Sequence, residues 1–217
     1  MTSAIRGVVF DLDGTLVDSY GPITESLNHA LRELGEPGLS EERVRRMVGR
    51  GLETLVERAV GPERVPEGVQ LFREHYERVA VSGTRLLPGV GETLAALAAR
   101  GYRMGVASNK PARFGTRILD GLGIACYLPE VFGPDRVAHP KPHPEMVHRL
   151  LEALEVPLDR AVYVGDMDVD VETCRGAGLP CWLVATGSCS RAELLGAGGD
   201  RVLDGFRDLL DLLPGAA

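Results

Sequence analysis

The run Val8-Val9-Phe10-Asp11-Leu12-Asp13-Gly14-Thr15 constrains this chain more than any other. Its apolar, β-branched and aromatic residues run into a glycine turn. They predict a buried strand that delivers two carboxylates to the end of a sheet. Carboxylates this close repel each other unless one takes a proton or a cation joins them. The pattern therefore calls for a divalent metal, an acid/base role, or both. The same letters also describe a strand followed by an ordinary Asx-type turn, and the rest of the chain decides between the readings.

After Thr15 the spacing changes. Segments 22–34, 40–48, 52–60 and 69–81 carry apolar residues three and four apart, which predicts helices with no strand among them. From Leu86 onward the reading alternates: helix 90–100, strand 102–108, helix 112–122, a short strand at 131–132 and helix 144–154. Strand 161–165, helix 169–177, strand 181–184 and a terminal strand and helix within 201–213 complete it. Such alternation predicts an α/β fold built on a doubly wound, Rossmann-like parallel sheet. The helical block then divides the chain into an α/β core, residues 1–15 and 86–217, and an inserted α-helical cap domain, residues 16–85. Only the 196–199 loop and the 214–217 tail read as mobile.

With 31 acidic against 24 basic side chains the net charge is -7, which argues against a nucleic-acid partner. No apolar run reaches membrane-spanning length, so no membrane partner is expected. The first residues lead straight into the first strand, and the expectation is a cytoplasmic protein, monomeric or homodimeric. Cys126, Cys174, Cys181 and Cys189 form no C-x-x-C pair and are read as reduced and structural. His29, His75, His139, His143 and His148 fall at no ligand spacing that joins them to the acidic residues.

In a doubly wound sheet, ligands bind beyond the carboxyl ends of the strands. Polar residues stand at such ends in several places: Asp11 and Asp13, Ser108-Asn109, and Gly165-Asp166 followed by Asp168 and Asp170. Lys141 lies in His139-Pro140-Lys141-Pro142-His143-Pro144, a stiff, extended run just before a helix. Each also has a plain reading. Ser108-Asn109 suits a helix cap, Lys141 a solvated charge, and Asp168 and Asp170 the positive end of a helix dipole.

Taken together, in this order and with helices inserted after the first, these elements resemble the haloacid dehalogenase superfamily over essentially the whole chain. The resemblance implies that Asp11-Leu12-Asp13-Gly14-Thr15 is the first motif of that family, Ser108 the second, Lys141 the third, and Gly165-Asp166 with Asp170 the fourth. It further implies that Asp11 is a nucleophile forming an aspartyl-phosphate, and that Asp13 is the general acid and then base. The metal, Mg²⁺, is implied to sit on Asp11, Asp166 and the backbone carbonyl of Asp13. Ser108, Asn109 and Lys141 are implied to meet the phosphate of a small phosphorylated substrate, and Asp170 to position Lys141 or a metal-bound water. The chemistry agrees, because a carboxylate attacking a phosphate dianion needs a bridging cation and prepositioned donors.

Asp13 excludes the dehalogenases and phosphonate hydrolases of that family, which lack the second aspartate. Phosphatases and sugar-phosphate mutases of the β-phosphoglucomutase type remain, with a phosphate-sensing protein on the same fold as the non-catalytic reading. The stretch Val48-Gly49-Arg50-Gly51-Leu52-Glu53-Thr54-Leu55-Val56-Glu57-Arg58-Ala59 resembles the cap segment of bacterial phosphoglycolate phosphatases, and Leu16-Val17-Asp18-Ser19 and Ser108-Asn109-Lys110-Pro111 resemble segments of the same enzymes. That implies 2-phosphoglycolate as substrate, with Arg50 forked onto its carboxylate. Nucleotides, pyrophosphate and amino-sugar phosphates are the alternatives.

Overall fold

Val8 and Phe10 pack on one side of the first strand and Val9 on the other, and all three are fully buried. A strand buried on both faces belongs inside a parallel sheet covered by helices on both sides. The computed structural model describes residues 5–215. It runs β1 (Gly7–Phe10), β2 (Val17–Asp18), α1 (Tyr20–Glu33), α2 (Glu41–Arg45), α3 (Leu52–Val60), α4 (Val65–Val79) and β3 (Arg85–Leu86). Then follow α5 (Val90–Ala99), β4 (Arg103–Ala107), α6 (Ala112–Gly121), β5 (Glu130–Phe132), α7 (Glu145–Ala153) and β6 (Ala161–Gly165). The chain closes with α8 (Asp168–Ala177), β7 (Cys181–Val184), α9 (Arg191–Ala197), β8 (Arg201–Leu203) and α10 (Leu209–Leu212).

Six strands form one parallel sheet in the order β5-β4-β1-β6-β7-β8. The order reverses between β1 and β6, the switch point at which doubly wound sheets open a crevice. Leu94 of α5, Phe114 and Ile118 of α6 and Leu209 of α10 share a core with Val8 and Phe10. Met146 and Leu150 of α7, Val171 and Cys174 of α8 and Leu194 of α9 share the opposite one with Val9. Among the described residues no helix is long and apolar enough to cross a membrane.

Helices α1 to α4 lie between β2 and β3, which pair antiparallel through Val17 with Leu86 and Asp18 with Arg85. The amide of Leu87 donates to the carbonyl of Leu16 at 3.1 Å, so the chain enters and leaves the helical segment side by side. Inside the segment, Ile23, Leu27 and Leu31 of α1 pack with Phe72 and Tyr76 of α4, each at helical spacing.

Several expectations need correction. The ribbon β2/β3 was not anticipated, because two residues a side are too few to show a period. Helix α4 starts at Val65 rather than at 69, since Pro66 in its first turn lacks only an amide that would be unpaired anyway. Residues 196–199 are not one mobile loop. Ser190 and Glu193 form a capping box that starts α9, Gly196 lies within that helix, and Gly198 caps it in the left-handed region. Of the 214–217 tail, Ala216 and Ala217 lie outside the described residues, as do 1–4.

The ring of Phe10 is fully buried, with its centroid 5.5 Å from that of Phe206. Phe10→Ala is expected to lower the unfolding free energy by about 3–5 kcal/mol, the range for deleting a core aromatic, as read from urea denaturation at unchanged m-value.

Candidate active site

The loops beyond β1, β4 and β6 converge at the switch point. The amide of Asp11 still donates to Val164 at 2.9 Å and that of Ser108 to Phe132 at 3.0 Å, so both side chains leave from strand-like backbone. Asp11, Ser108, Lys141, Asp166 and Asp170 are all at most 5% exposed. Burying that much charge requires mutual pairing.

Lys141 supplies the pairing. Its Nζ lies 2.8 Å from Asp170 Oδ1, 3.1 Å from Asp11 Oδ1 and 2.9 Å from the Tyr163 hydroxyl. Tyr163 in turn donates to the carbonyl of Ala107 at 2.8 Å. Burial works against the ammonium, but Asp11 and Asp170 outweigh it and hold the lysine charged above its ordinary range. Asp170 is saturated, since its Oδ2 also accepts from the amides of Asp166 at 3.0 Å and Met167 at 3.1 Å. It anchors both the lysine and the turn that carries Asp166.

Asp166 is different. Burial, then Asp170 and Asp11, push its carboxyl well above the usual carboxylate range. Its Oδ1 accepts from Thr15 Oγ1 at 2.8 Å, while its Oδ2 is buried without a hydrogen-bond partner. Asp11 Oδ1 likewise has no aligned hydrogen bond, although the charge of Lys141 is close. Asp11, Asp166 and Asp170 each offer an oxygen within 4.8 Å of the others. A Cβ at Gly14 or at Gly187 would fall on Asp166 Oδ2, so only glycine leaves that oxygen open. Orphaned, buried, all-oxygen donors with backbone drawn back around them fit a hard divalent cation held by Asp11 and Asp166.

Asp13 faces the other way. Its Oδ1 accepts from Ser19 Oγ and its Oδ2 lies 3.1 Å from Lys110 Nζ. Lys110 was not singled out from the sequence. Its side chain is 6% exposed, and its Nζ also donates to the Tyr76 hydroxyl of α4 at 2.7 Å. A cavity opens here between Asp11, Asp13 and Ser108 on the sheet side and Val48, Leu52, Leu55 and Phe72 on the helical side.

Asn109 lines the cavity, whereas Arg50 does not. The Asn109 amide brackets two loops, donating to Gly49 O and Lys141 O at 3.0 Å each. Arg50 reaches across the outside, its Nη2 at 2.9 Å from Asp168 Oδ2 and 2.7 Å from Glu172 Oε1, and it does not line the cavity. Asp168, given no role from sequence, is thus half of a surface bridge. His139 and His143, both exposed, form a separate group with the half-buried Glu145.

Residues 8–184 match the model of the haloacid dehalogenase-like hydrolases. The chain belongs to that family. It is 39% identical over 219 residues to a phosphoglycolate phosphatase of Rhodospirillum rubrum, covering 96% of this chain and 90% of the relative. A phosphoglycolate phosphatase of Yersinia pseudotuberculosis is 37% identical, with 95% and 92% covered. A solved structure of a predicted phosphoglycolate phosphatase from Haemophilus somnus superposes with a TM-score of 0.90 at 29% identity, covering 96% of this chain and 97% of the other.

Gly187→Ala, by crowding Asp166, is expected to weaken divalent-cation binding roughly 10- to 100-fold in calorimetric titration. The change Gly21→Ala, where an added Cβ meets nothing within 4 Å, is the matched control and leaves affinity unchanged.

Proposed function

We propose that this phosphoric monoester hydrolase removes phosphate from 2-phosphoglycolate through an aspartyl-phosphate on Asp11. The observation that carries the reading is the convergence of Asp11, Asp13, Ser108 and Lys141 on one site, with Asp13 turned toward a partly enclosed cavity. The names of its relatives supply the substrate.

Asp11, Asp166 and the backbone carbonyl of Asp13 would hold Mg²⁺, which would supply the positive charge that lets a carboxylate approach a phosphate dianion. Lys141 and the Ser108 hydroxyl add fixed positive charge and a donor for those oxygens. An oxygen of Asp11 bonds to phosphorus as the bond from phosphorus to the ester oxygen breaks, and the carboxyl of Asp13 gives that oxygen its proton. In the second step the Asp13 carboxylate takes a proton from water. The water oxygen attacks phosphorus, the bond to Asp11 breaks, and inorganic phosphate leaves. Helices α1 to α4 act as the cap that closes the leaving-group side and keeps bulk water from the first step.

Purified enzyme with Mg²⁺ is expected to release inorganic phosphate from 2-phosphoglycolate and to stop in EDTA, recovering when Mg²⁺ is restored. Asp11→Asn should lower kcat by roughly a thousandfold or more at unchanged thermal stability, and turnover within about tenfold of wild type removes Asp11 as nucleophile. Asp13→Asn should slow esters of poor leaving groups far more than activated aryl phosphates. A flat dependence on leaving-group pKa assigns the proton to another group.

A further inference from the structure

We propose that Lys110, and not Arg50, is the residue that selects the substrate by its carboxylate, an inference that rests on the phosphatase reading above. The observations begin with the walls of the cavity. Its helical side is apolar, built by Ile23, Val48, Leu52, Leu55 and Phe72, with Phe114 from α6. Among the described residues Lys110 is the one Lys, Arg or His that lines it. Lys141 is spent on Asp11 and Asp170, and the guanidinium of Arg50 is held outside by Asp168 and Glu172.

Lys110 is also placed and preorganised for the task. Its Nζ donates to the Tyr76 hydroxyl at 2.7 Å, stands 4.7 Å from the centre of that ring, and lies 3.1 Å from Asp13 Oδ2. An ammonium has three donors, and Tyr76 and Asp13 take two of them. The third is left for a ligand in the cavity. An anion that enters this apolar space without meeting Lys110 loses its hydration uncompensated, so one position is favoured over all others.

The distance to Asp13 then sets the chemical class. The ester oxygen of the substrate must sit within hydrogen-bond reach of Asp13 to be protonated. In 2-phosphoglycolate the carboxylate is joined one carbon from that oxygen. Asp13, the ester oxygen, a carboxylate oxygen and Lys110 Nζ close a ring of contacts, each about 3 Å long. Leu52, Leu55 and Phe72 line the same cavity and offer no charge to an anion carried further out. Lys110 therefore selects short 2-phosphoryloxy carboxylates over neutral esters and over those with a distant charge.

The test compares kcat/KM for 2-phosphoglycolate with kcat/KM for ethyl phosphate, which is of similar size and lacks the carboxylate. Wild type is expected to favour 2-phosphoglycolate, and Lys110→Met to reduce that ratio roughly 10- to 100-fold, the effect of one charge-assisted hydrogen bond. Both substrates lose some activity because Lys110 touches Asp13, so the ratio is the readout. A large ratio that survives in Lys110→Met overturns the assignment and leaves the phosphatase reading standing. A wild-type ratio near one overturns the substrate reading and the role of Lys110 with it. Inhibition constants for 3-phosphonopropionate and propylphosphonate give the same ratio without turnover. Should Lys110→Met fail to fold, Lys110→Gln carries the comparison. Arg50→Ala is expected to leave the ratio within about twofold of wild type, and a tenfold fall there would return the carboxylate to Arg50.

Discussion

The ammonium of Lys141, 1% exposed between Asp11 and Asp170, is the interaction on which the rest of the site depends. Three buried carboxylates within a few ångströms would otherwise repel one another and drive each other to protonate. The lysine comes from the loop between β5 and α7, Asp11 from the end of β1, and Asp170 from the first turn of α8. One ion pair network thus ties three separate crossovers of the sheet together. It also explains why the Tyr163 hydroxyl is buried, since it carries the lysine's remaining contact to the backbone of β4.

The helical segment meets the core through the buried contact of Lys110 with Tyr76 and through weaker ones nearer the surface. Asn109 bonds Gly49 O, and Arg50 bridges to Asp168 and Glu172 with every partner at least a third exposed. Exposed ion pairs of this kind contribute about 0–1 kcal/mol. These surface contacts therefore add register more than strength. The antiparallel ribbon β2/β3 keeps the two chain crossings side by side.

Much of this was legible in the sequence, for physical reasons. The six sheet strands and the helices that cover them announce themselves by apolar period, and the polar residues that end β1, β4 and β6 do meet where a doubly wound sheet requires. Lys110 was legible as part of the segment Ser108-Asn109-Lys110-Pro111, but its burial and its partners were not. It follows Ser108-Asn109 and precedes Pro111, which reads as a helix start, and its burial depends on Tyr76, a residue 34 positions away in another helix. A cation is exposed or buried according to what folds over it, and no local pattern reports that. Arg50 shows the converse, since the acids that hold it lie 118 and 122 positions on and no local pattern announces them. The capping box of α9 was readable in Ser190 and Glu193, but glycines at 196, 198 and 199 masked a helix only 7 residues long.

The opening at Asp166 Oδ2 has a consequence for how such a site can vary. It is bounded by Gly14 and Gly187, that is, by the absence of two side chains, while the opposite oxygen is held by Thr15. Neither glycine can be exchanged for a graded series of larger residues, because even one methyl group lands on the carboxylate. Adjustment of the ion this pocket prefers is therefore closed to stepwise substitution at those two positions. It falls instead to Thr15, where loss of a hydroxyl or a methyl re-aims the carboxylate by small amounts.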